Sequence, residues 1–378
     1  MTHSDLLSPL ALTDTITVRN RVVMAPMTTW AANDDLTISD AEVAYYRARV
    51  QGVGLVLTGC THVMANGIGF THEFAAVDDS YTDSLRKLAA AAKSGGAPAI
   101  LQIFHAGNKA LPELTPEGDV VGPSAIPVAA SGFAPAQTPR ALTEPEILQI
   151  IAAFGETTRR AIEAGFNGVE LHGAHGFLIQ NFLSPATNHR DDRWGGSPEN
   201  RRRFALAVVA EVKRVATKHA GRQFVLGMRL SPEEAGGYGL ADTFATIDAL
   251  IDAGVDYIHS SLADVVDQRP HDDPEGAPIA KRISGHIAGR VPLIAAGGLR
   301  TPAQAEAALN LGVSFAAVGQ GLVMNPNWVE LAEAGRDSVV ERELDPSNVE
   351  ALAIPEKLWA IIDQAKGWFA VKEMQAAE

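Results

Sequence analysis

Eight short runs of aliphatic and β-branched residues recur along the chain, separated by helical patterns. The runs are Arg21–Met27, Gly54–Thr58, Ala99–Phe104, Gly168–His172, Phe224–Leu230, Tyr257–Ser260, Pro292–Ala296 and Phe315–Gly319. Helical periodicity covers Glu144–Ala164, Glu199–His219, Asp242–Ala253 and Pro302–Leu311. The last opens with Thr301 as an N-cap and Pro302 at the first helical position, where proline's missing N–H costs no hydrogen bond. Such alternation predicts a parallel sheet, and eight units over about 300 residues fit a closed (β/α)₈ TIM barrel better than an open doubly wound sheet. The phrases Ala164-Gly165-Phe166-Asn167 and Ala253-Gly254-Val255-Asp256 each precede a strand, as equivalent helix-to-strand turns would.

Two segments stand outside the repeat. Residues 106–142 carry six prolines and several glycines, too long for an ordinary strand-to-helix connection, and predict a cap over the barrel mouth. Beyond Asn325-Pro326, Ile354–Trp359 and Lys366–Phe369 predict C-terminal helices against the barrel wall. The expectation is one domain over residues 1–378, with the barrel at about 20–335 and the C-terminal helices at about 336–378.

Composition removes several function classes. With 31 Lys+Arg against 45 Asp+Glu the formal charge is −14, which repels phosphate backbones and anionic membrane surfaces, so no nucleic-acid or membrane partner is expected. No apolar stretch approaches the roughly 20 residues of a membrane helix, and the first residues lack a signal peptide's basic and apolar regions, which predicts a cytoplasmic protein. The lone Cys60 cannot form an internal disulfide, a multi-thiolate zinc site or a cysteine-held iron–sulfur cluster. Redox chemistry would need an organic cofactor.

In a barrel of this kind the C-terminal strand ends converge on the active face. Those ends carry Met27-Thr28, Gly59-Cys60, Gln102 with His105, His172 with His175, Arg229, Ser260-Ser261, Gly297-Gly298 and Gly319-Gln320. The two glycine pairs follow the seventh and eighth strands, where barrels commonly bind phosphate, and imply a phosphorylated ligand. The fourth strand runs through Val169-Glu170-Leu171-His172-Gly173-Ala174-His175-Gly176-Phe177 and delivers two imidazoles three residues apart to that face. Taken alone, such a pair is more often structural or an occasional metal ligand; no nearby carboxylate completes a ligand set, and no metal is expected.

The chain resembles the old yellow enzyme family of FMN-dependent ene-reductases. The resemblance runs from Asn20-Arg21-Val22-Val23-Met24-Ala25-Pro26-Met27 to Gly319 and Asn325-Pro326, and its most specific stretch lies between Ser184-Pro185 and Asn200-Arg201. It implies a flavin at the barrel mouth and an N-terminal hairpin, here Leu10–Arg19, closing the bottom. Pro26, Met27 and Thr28 would border the flavin ring, with the Thr28 hydroxyl donating to the C4 carbonyl; a hydroxyl bonding its own backbone is the plainer alternative. Gln102 would bond the pyrimidine edge, and Arg229 would face N1 and the C2 carbonyl, stabilising negative charge on the reduced ring. The plainer reading of Arg229 is an ion pair inside the barrel. Gly297, Gly298, Gly319 and Gln320 would border the phosphate. His172 and His175 would grip the oxygen of a substrate's activating carbonyl or nitro group so that hydride adds at the β-carbon. Trp30 and Phe177 would line the substrate side. Cys60, beside the expected ring, reads as a small buried hydrophobe. Arg190, Asp192, Glu199 and Arg201 are expected to brace the loop after strand four as buried ion pairs.

The sequence departs from that family's pattern in three places. Phe177 stands where many members carry a tyrosine that protonates the α-carbon; Tyr238 is a candidate substitute acid. Gln320 stands where an arginine usually meets the phosphate, a loss of about 1–3 kcal/mol unless compensated. The tail shows no match to the arginine that some members insert into a neighbouring subunit's site, and monomer or homo-oligomer stays open. The expected function is an NAD(P)H-dependent flavin oxidoreductase reducing electron-poor alkenes: α,β-unsaturated carbonyls, maleimides or nitroalkenes. A quinone reductase or NADH oxidase, and a flavin-binding sensory protein with little turnover, are the alternatives; the preference for NADH or NADPH has no motif.

Overall fold

The computed structural model describes residues 3–221 and 223–373; the first two and last five residues of the expected domain lie outside the described residues. Eight parallel strands close into a barrel: β1 (Val22–Met24), β2 (Leu55–Leu57), β3 (Ala99–Phe104), β4 (Gly168–Gly173), β5 (Val225–Leu230), β6 (Tyr257–Ser261), β7 (Leu293–Ala296) and β8 (Phe315–Val318). Neighbours pair in sequence order, and β8 returns to β1 through Ala316↔Val22, Ala317↔Val23 and Val318↔Met24. Each of the eight expected runs holds one strand. β1 is shorter than its run because Ala25 makes the last ladder bond and Pro26 has no N–H to give.

Helices surround the barrel, among them α1 (Asp40–Arg49), α2 (Thr82–Ala92), α3 (Glu144–Ala164), α4 (Pro198–His219), α5 (Leu240–Asp252), α6 (Ile279–Ile287), α7 (Pro302–Asn310) and α8 (Trp328–Glu333). Thr143 with Glu146 and Thr301 with Gln304 form capping boxes, each satisfying otherwise orphaned N–H groups. Gly165 and Gly254, the repeated helix exits, both adopt positive φ, 91° and 85°.

Side-chain alternation along the strands decides what fills the barrel. Val23, Leu55, Ile100, Val225, Tyr257, Ile294 and Phe315 point inward and form an apolar plug at the N-terminal end. The antiparallel hairpin of Leu10–Ala11 and Thr17–Val18 covers that plug through buried Leu12 and Val18. One step further up, the same alternation brings Gln102, Glu170 and Gly227 level with one another, and above them His172, Arg229 and His259. Gly227 is required there, because a Cβ at this position would stand 2.0 Å from the Tyr257 ring. The barrel is thus apolar at its base and polar toward its mouth.

The long segment after β3 folds over that mouth. Val121–Gly122 pairs with Arg140–Ala141, Val128 bridges Gln137, and the Gln137 amide donates to the carbonyls of Asn108 and Ala110, both at 2.9 Å. The C-terminal segment, including the helix Glu356–Gln364, packs Leu344, Ile354, Leu358 and Phe369 into the main core, whereas Lys366–Phe369, expected to be helical, forms a turn closed by a Lys366–Phe369 bridge. Buried Arg49 on α1 fastens it by donating to the carbonyl of Leu352 at 2.5 Å and, more weakly, to that of Ala353 at 3.4 Å.

Candidate active site

One cavity of about 620 Å³ opens at the C-terminal ends of the strands. Pro26, Met27, Thr28 and Trp30 line it from the end of β1, Cys60 from β2 and Gln102 from β3. His172, His175 and Phe177 line it from β4, Arg229 from β5, Gly297 and Gly298 from β7, and Gly319 and Gln320 from β8. The site residues expected from sequence therefore share one wall, apart from Tyr238.

Tyr238 faces elsewhere. Its hydroxyl donates to the Ser231 carbonyl at 2.9 Å, burial pushes its pKa up, and it borders a separate small cavity with Leu183 and Asp242. This placement corrects its expected role as an acid in the site. The brace after β4 also differs from expectation. Arg190 does pair with Asp192 at 2.5 Å, but Glu199 is exposed beside Arg202, and Arg201 donates to the carbonyls of Leu183 and Gly196 instead of to a carboxylate. His105 is a buried structural residue whose ring bonds Asn66 and the Gly107 N–H. Burial pushes its pKa down to about 3.

Below the cavity lies a buried charge network centred on Glu170. Its Oε1 accepts from the Gln102 amide at 2.7 Å, and its Oε2 accepts from the Tyr257 hydroxyl at 3.0 Å and the His259 Nδ1–H at 2.9 Å. Burial opposes ionisation of Glu170, but these donors and the Arg229 charge outweigh it and hold the carboxyl below its usual range. Burial lowers the His259 pKa, against the pull of the Glu170 carboxylate. With its amide nitrogen committed to Glu170, Gln102 has its carboxamide oxygen to offer a ligand. Arg229 gives Nη2 to the Ser261 hydroxyl at 3.0 Å, while its buried Nε has no partner.

That bond starts a relay which assigns the histidine tautomers. Ser261, accepting from Arg229, can give its hydroxyl hydrogen to His175 Nε2 at 2.7 Å, which leaves His175 Nδ1–H as the free donor. His172 Nδ1 accepts the Ala174 N–H at 3.3 Å, which leaves Nε2–H as its free donor. The two rings stand 5.0 Å apart, centroid to centroid. Burial, followed by the neighbouring charges that include Arg229 and Lys109, holds both well below the ordinary histidine pKa, although His175 presents its surface to the cavity. His175 also has a positive φ of 60°, held by its N–H to the Ser231 hydroxyl at 3.0 Å and by Lys109 Nζ on its carbonyl at 2.7 Å. Nitrogen-resolved NMR of His172 should show the neutral Nε2–H form from about pH 8 down to about pH 5, where an ordinary imidazole of pKa about 6.5 is mostly protonated. A titration centred near pH 6.5 would contradict the assignment.

Thr28 Oγ1 and Cys60 Sγ are hydrogen-bond partners at 3.2 Å, and burial, with Glu73 nearby, keeps the thiol protonated. A buried thiol of raised pKa fits the packing reading of Cys60. Phe177 sits edge-on to His172 at 4.8 Å and to Phe104 at 4.9 Å, so a ring without a proton occupies this position.

Sequence reasoning placed Trp30 and a cap at the mouth but not the aromatic roof they build together. Trp30 packs against Phe70 at 5.3 Å, Phe133 at 5.5 Å and Trp368 at 5.7 Å, which brings together the β1 end, the loop after β2, the long cap and the C-terminal segment. Lys109 and Arg300 also line the cavity. Their only sequence signals were a cation just after the β3 end and one just after Gly297-Gly298.

The cavity suits a flavin nucleotide. Its volume lies within the usual range of about 300–1,000 Å³ for ligand pockets, Arg229 Nε is an unpartnered buried donor, and Gly297 and Gly298, at φ 144° and 68°, form a backbone cradle. A Cβ on Gly297 would meet the Leu262 carbonyl oxygen at 2.1 Å. Residues 5–338 match the model of the NADH:flavin oxidoreductase / NADH oxidase family. The chain is 42% identical over 374 residues to the probable NADH-dependent flavin oxidoreductase YqiG of Bacillus subtilis, covering 98% of this chain and 99% of that protein. It is 38% identical to the NADH:fumarate oxidoreductase of Klebsiella pneumoniae, covering 94% of this chain but only 38% of that longer protein. Among solved structures it is similar to morphinone reductase in complex with tetrahydroNAD, at 28% identity and a TM-score of 0.75, covering 90% of this chain and 93% of that one.

Proposed function

Because the chain belongs to the NADH:flavin oxidoreductase / NADH oxidase family, an old yellow enzyme-like group of FMN enzymes reduced by NAD(P)H, we propose that it reduces electron-poor alkenes at the His172–His175 pair. The observation that carries this reading is the pair of neutral imidazole donors left free at the cavity wall. When bound, FMN supplies hydride transfer from the nicotinamide to the acceptor. His172 Nε2–H and His175 Nδ1–H hold the acceptor's carbonyl or nitro oxygen and stabilise the charge that builds there, while Arg229 and Lys109 add positive potential. Thr28, Gln102 and Arg229, with Pro26 and Met27 beside them, would hold the flavin ring. The aromatic roof of Trp30, Phe70, Phe133 and Trp368 favours a flat, apolar acceptor such as a cyclic enone.

The test is anaerobic turnover, in which NADH or NADPH disappears in step with 2-cyclohexenone as cyclohexanone forms. Consumption only with oxygen or a quinone overturns the alkene reading. Phe177 favours that second reading specifically, because quinone oxygens take their protons from solvent and need no acid at position 177. Phe177→Tyr therefore discriminates the two. It should speed enone reduction by about 10²-fold, the lower end of what a positioned acid contributes, and leave quinone reduction unchanged. An unchanged enone rate would mean that solvent already delivers the proton.

A further inference from the structure

Arg300 lies in the turn after β7, and its side chain crosses to the start of the turn after β8. Nε and Nη2 both donate to Gln320 Oε1, at 3.1 and 2.9 Å. Nη1 has no hydrogen-bond partner, and no carboxylate lies within ion-pair distance of the guanidinium, among the described residues. Its backbone is fixed on both sides: the Arg300 N–H donates to Gln304 Oε1 at 3.0 Å, and the Arg300 carbonyl accepts from Trp328 Nε1 at 2.7 Å. The side chain lines the cavity at the end bounded by Gly297, Gly298 and Gly319. In a chain of net charge −14, a half-buried guanidinium held by a neutral amide and facing a cavity lacks its anion.

We propose that Arg300 is the cation that binds the flavin phosphate, and that Gln320 is the residue that positions it. The proposal rests on the FMN reading and adds which residue carries the charge. It resolves the departure at position 320. Gln320 accepts from Arg300 with its oxygen and donates to the Trp368 carbonyl with its nitrogen, so one amide joins the phosphate end to the aromatic roof. An arginine at 320 could not accept from Arg300 and would repel it. A glutamine here is therefore matched to an arginine at 300, and the positive charge at this end of the cavity sits on the β7 turn.

Titration of apoprotein with FMN and with riboflavin, followed by quenching of flavin fluorescence, separates phosphate contacts from ring contacts. The native protein should prefer FMN. Arg300→Gln should weaken FMN by about 10- to 100-fold, as for a charge-assisted bond of about 1.5–3 kcal/mol, and leave riboflavin affinity unchanged. Gln320→Glu, which neutralises the same guanidinium without removing it, should produce the same selective loss and serves if Arg300→Gln does not fold. Equal loss of FMN and riboflavin, or no loss of either, overturns the assignment to Arg300. Failure of the native protein to bind FMN would overturn the cofactor reading itself.

Discussion

Replacing His172 and His175 together by alanine should abolish the charge-transfer band that phenols give on binding beside the flavin, while the flavin stays bound. It should also slow reoxidation by enones by more than about 10³-fold. The magnitude follows from the chemistry assigned to the pair: one preorganised donor at a developing oxyanion is worth about 10²–10³, and here two free N–H groups converge. Lost packing is the competing explanation, since His172 is 3% exposed and lies between Phe104 and Phe177. Asparagine separates the two effects, because its amide restores an N–H without restoring the ring. His172→Asn and His175→Asn should recover part of the phenol affinity. An unchanged phenol titration in the double alanine variant would overturn the donor assignment.

Arg229→Met should destabilise the fold by about 1.5–3 kcal/mol, as for the loss of one interaction with a buried charged group, read from urea unfolding. The group affected is Glu170, which is fully buried and whose ionisation is supported by His259 first and then by Arg229. Adding Glu170→Gln to Arg229→Met removes the buried charge and should restore most of the stability. It should not restore flavin reduction by NAD(P)H, which we expect to stay at least about 10²-fold slow because the positive charge beside the ring is gone. The two readings of Arg229 offered by its sequence, flavin contact and structural ion pair, thus become two measurable quantities on one residue. If Arg229→Met unfolds at the native urea concentration, Glu170 is not held as a carboxylate.

The barrel was legible because each strand is a short buried run and several helices carry their own caps. Thr143 and Thr301 mark their helix starts from three residues of local sequence. The wall of the site was legible for a related reason: in this fold, function gathers at strand ends, so position along a strand already locates Thr28, Gln102, His172 and Arg229. What sequence could not show depends on contacts between distant segments. Trp30 and Trp368 meet across most of the chain, and nothing near either residue encodes the other. Glu170 acquires Tyr257 and His259 only through the register of β4, β5 and β6. Tyr238 failed for a simpler reason, because its loop turns the hydroxyl back onto Ser231. Gln320 reads as a lost charge in the sequence because its bond to Arg300 joins two separate turns.

The central claim is that a flavin at this barrel mouth passes hydride to an alkene whose oxygen is held by His172 and His175. Its most direct test is a single turnover: the protein is reduced by one equivalent of NADH or NADPH without oxygen, then mixed with 2-cyclohexenone or a maleimide in a stopped-flow spectrometer. The account predicts that oxidised flavin absorbance returns at a rate that rises with acceptor concentration and is lost in the His172→Ala, His175→Ala variant. Flavin that is bleached by the nicotinamide yet stays bleached with either alkene, and recovers only when oxygen is admitted, would contradict it.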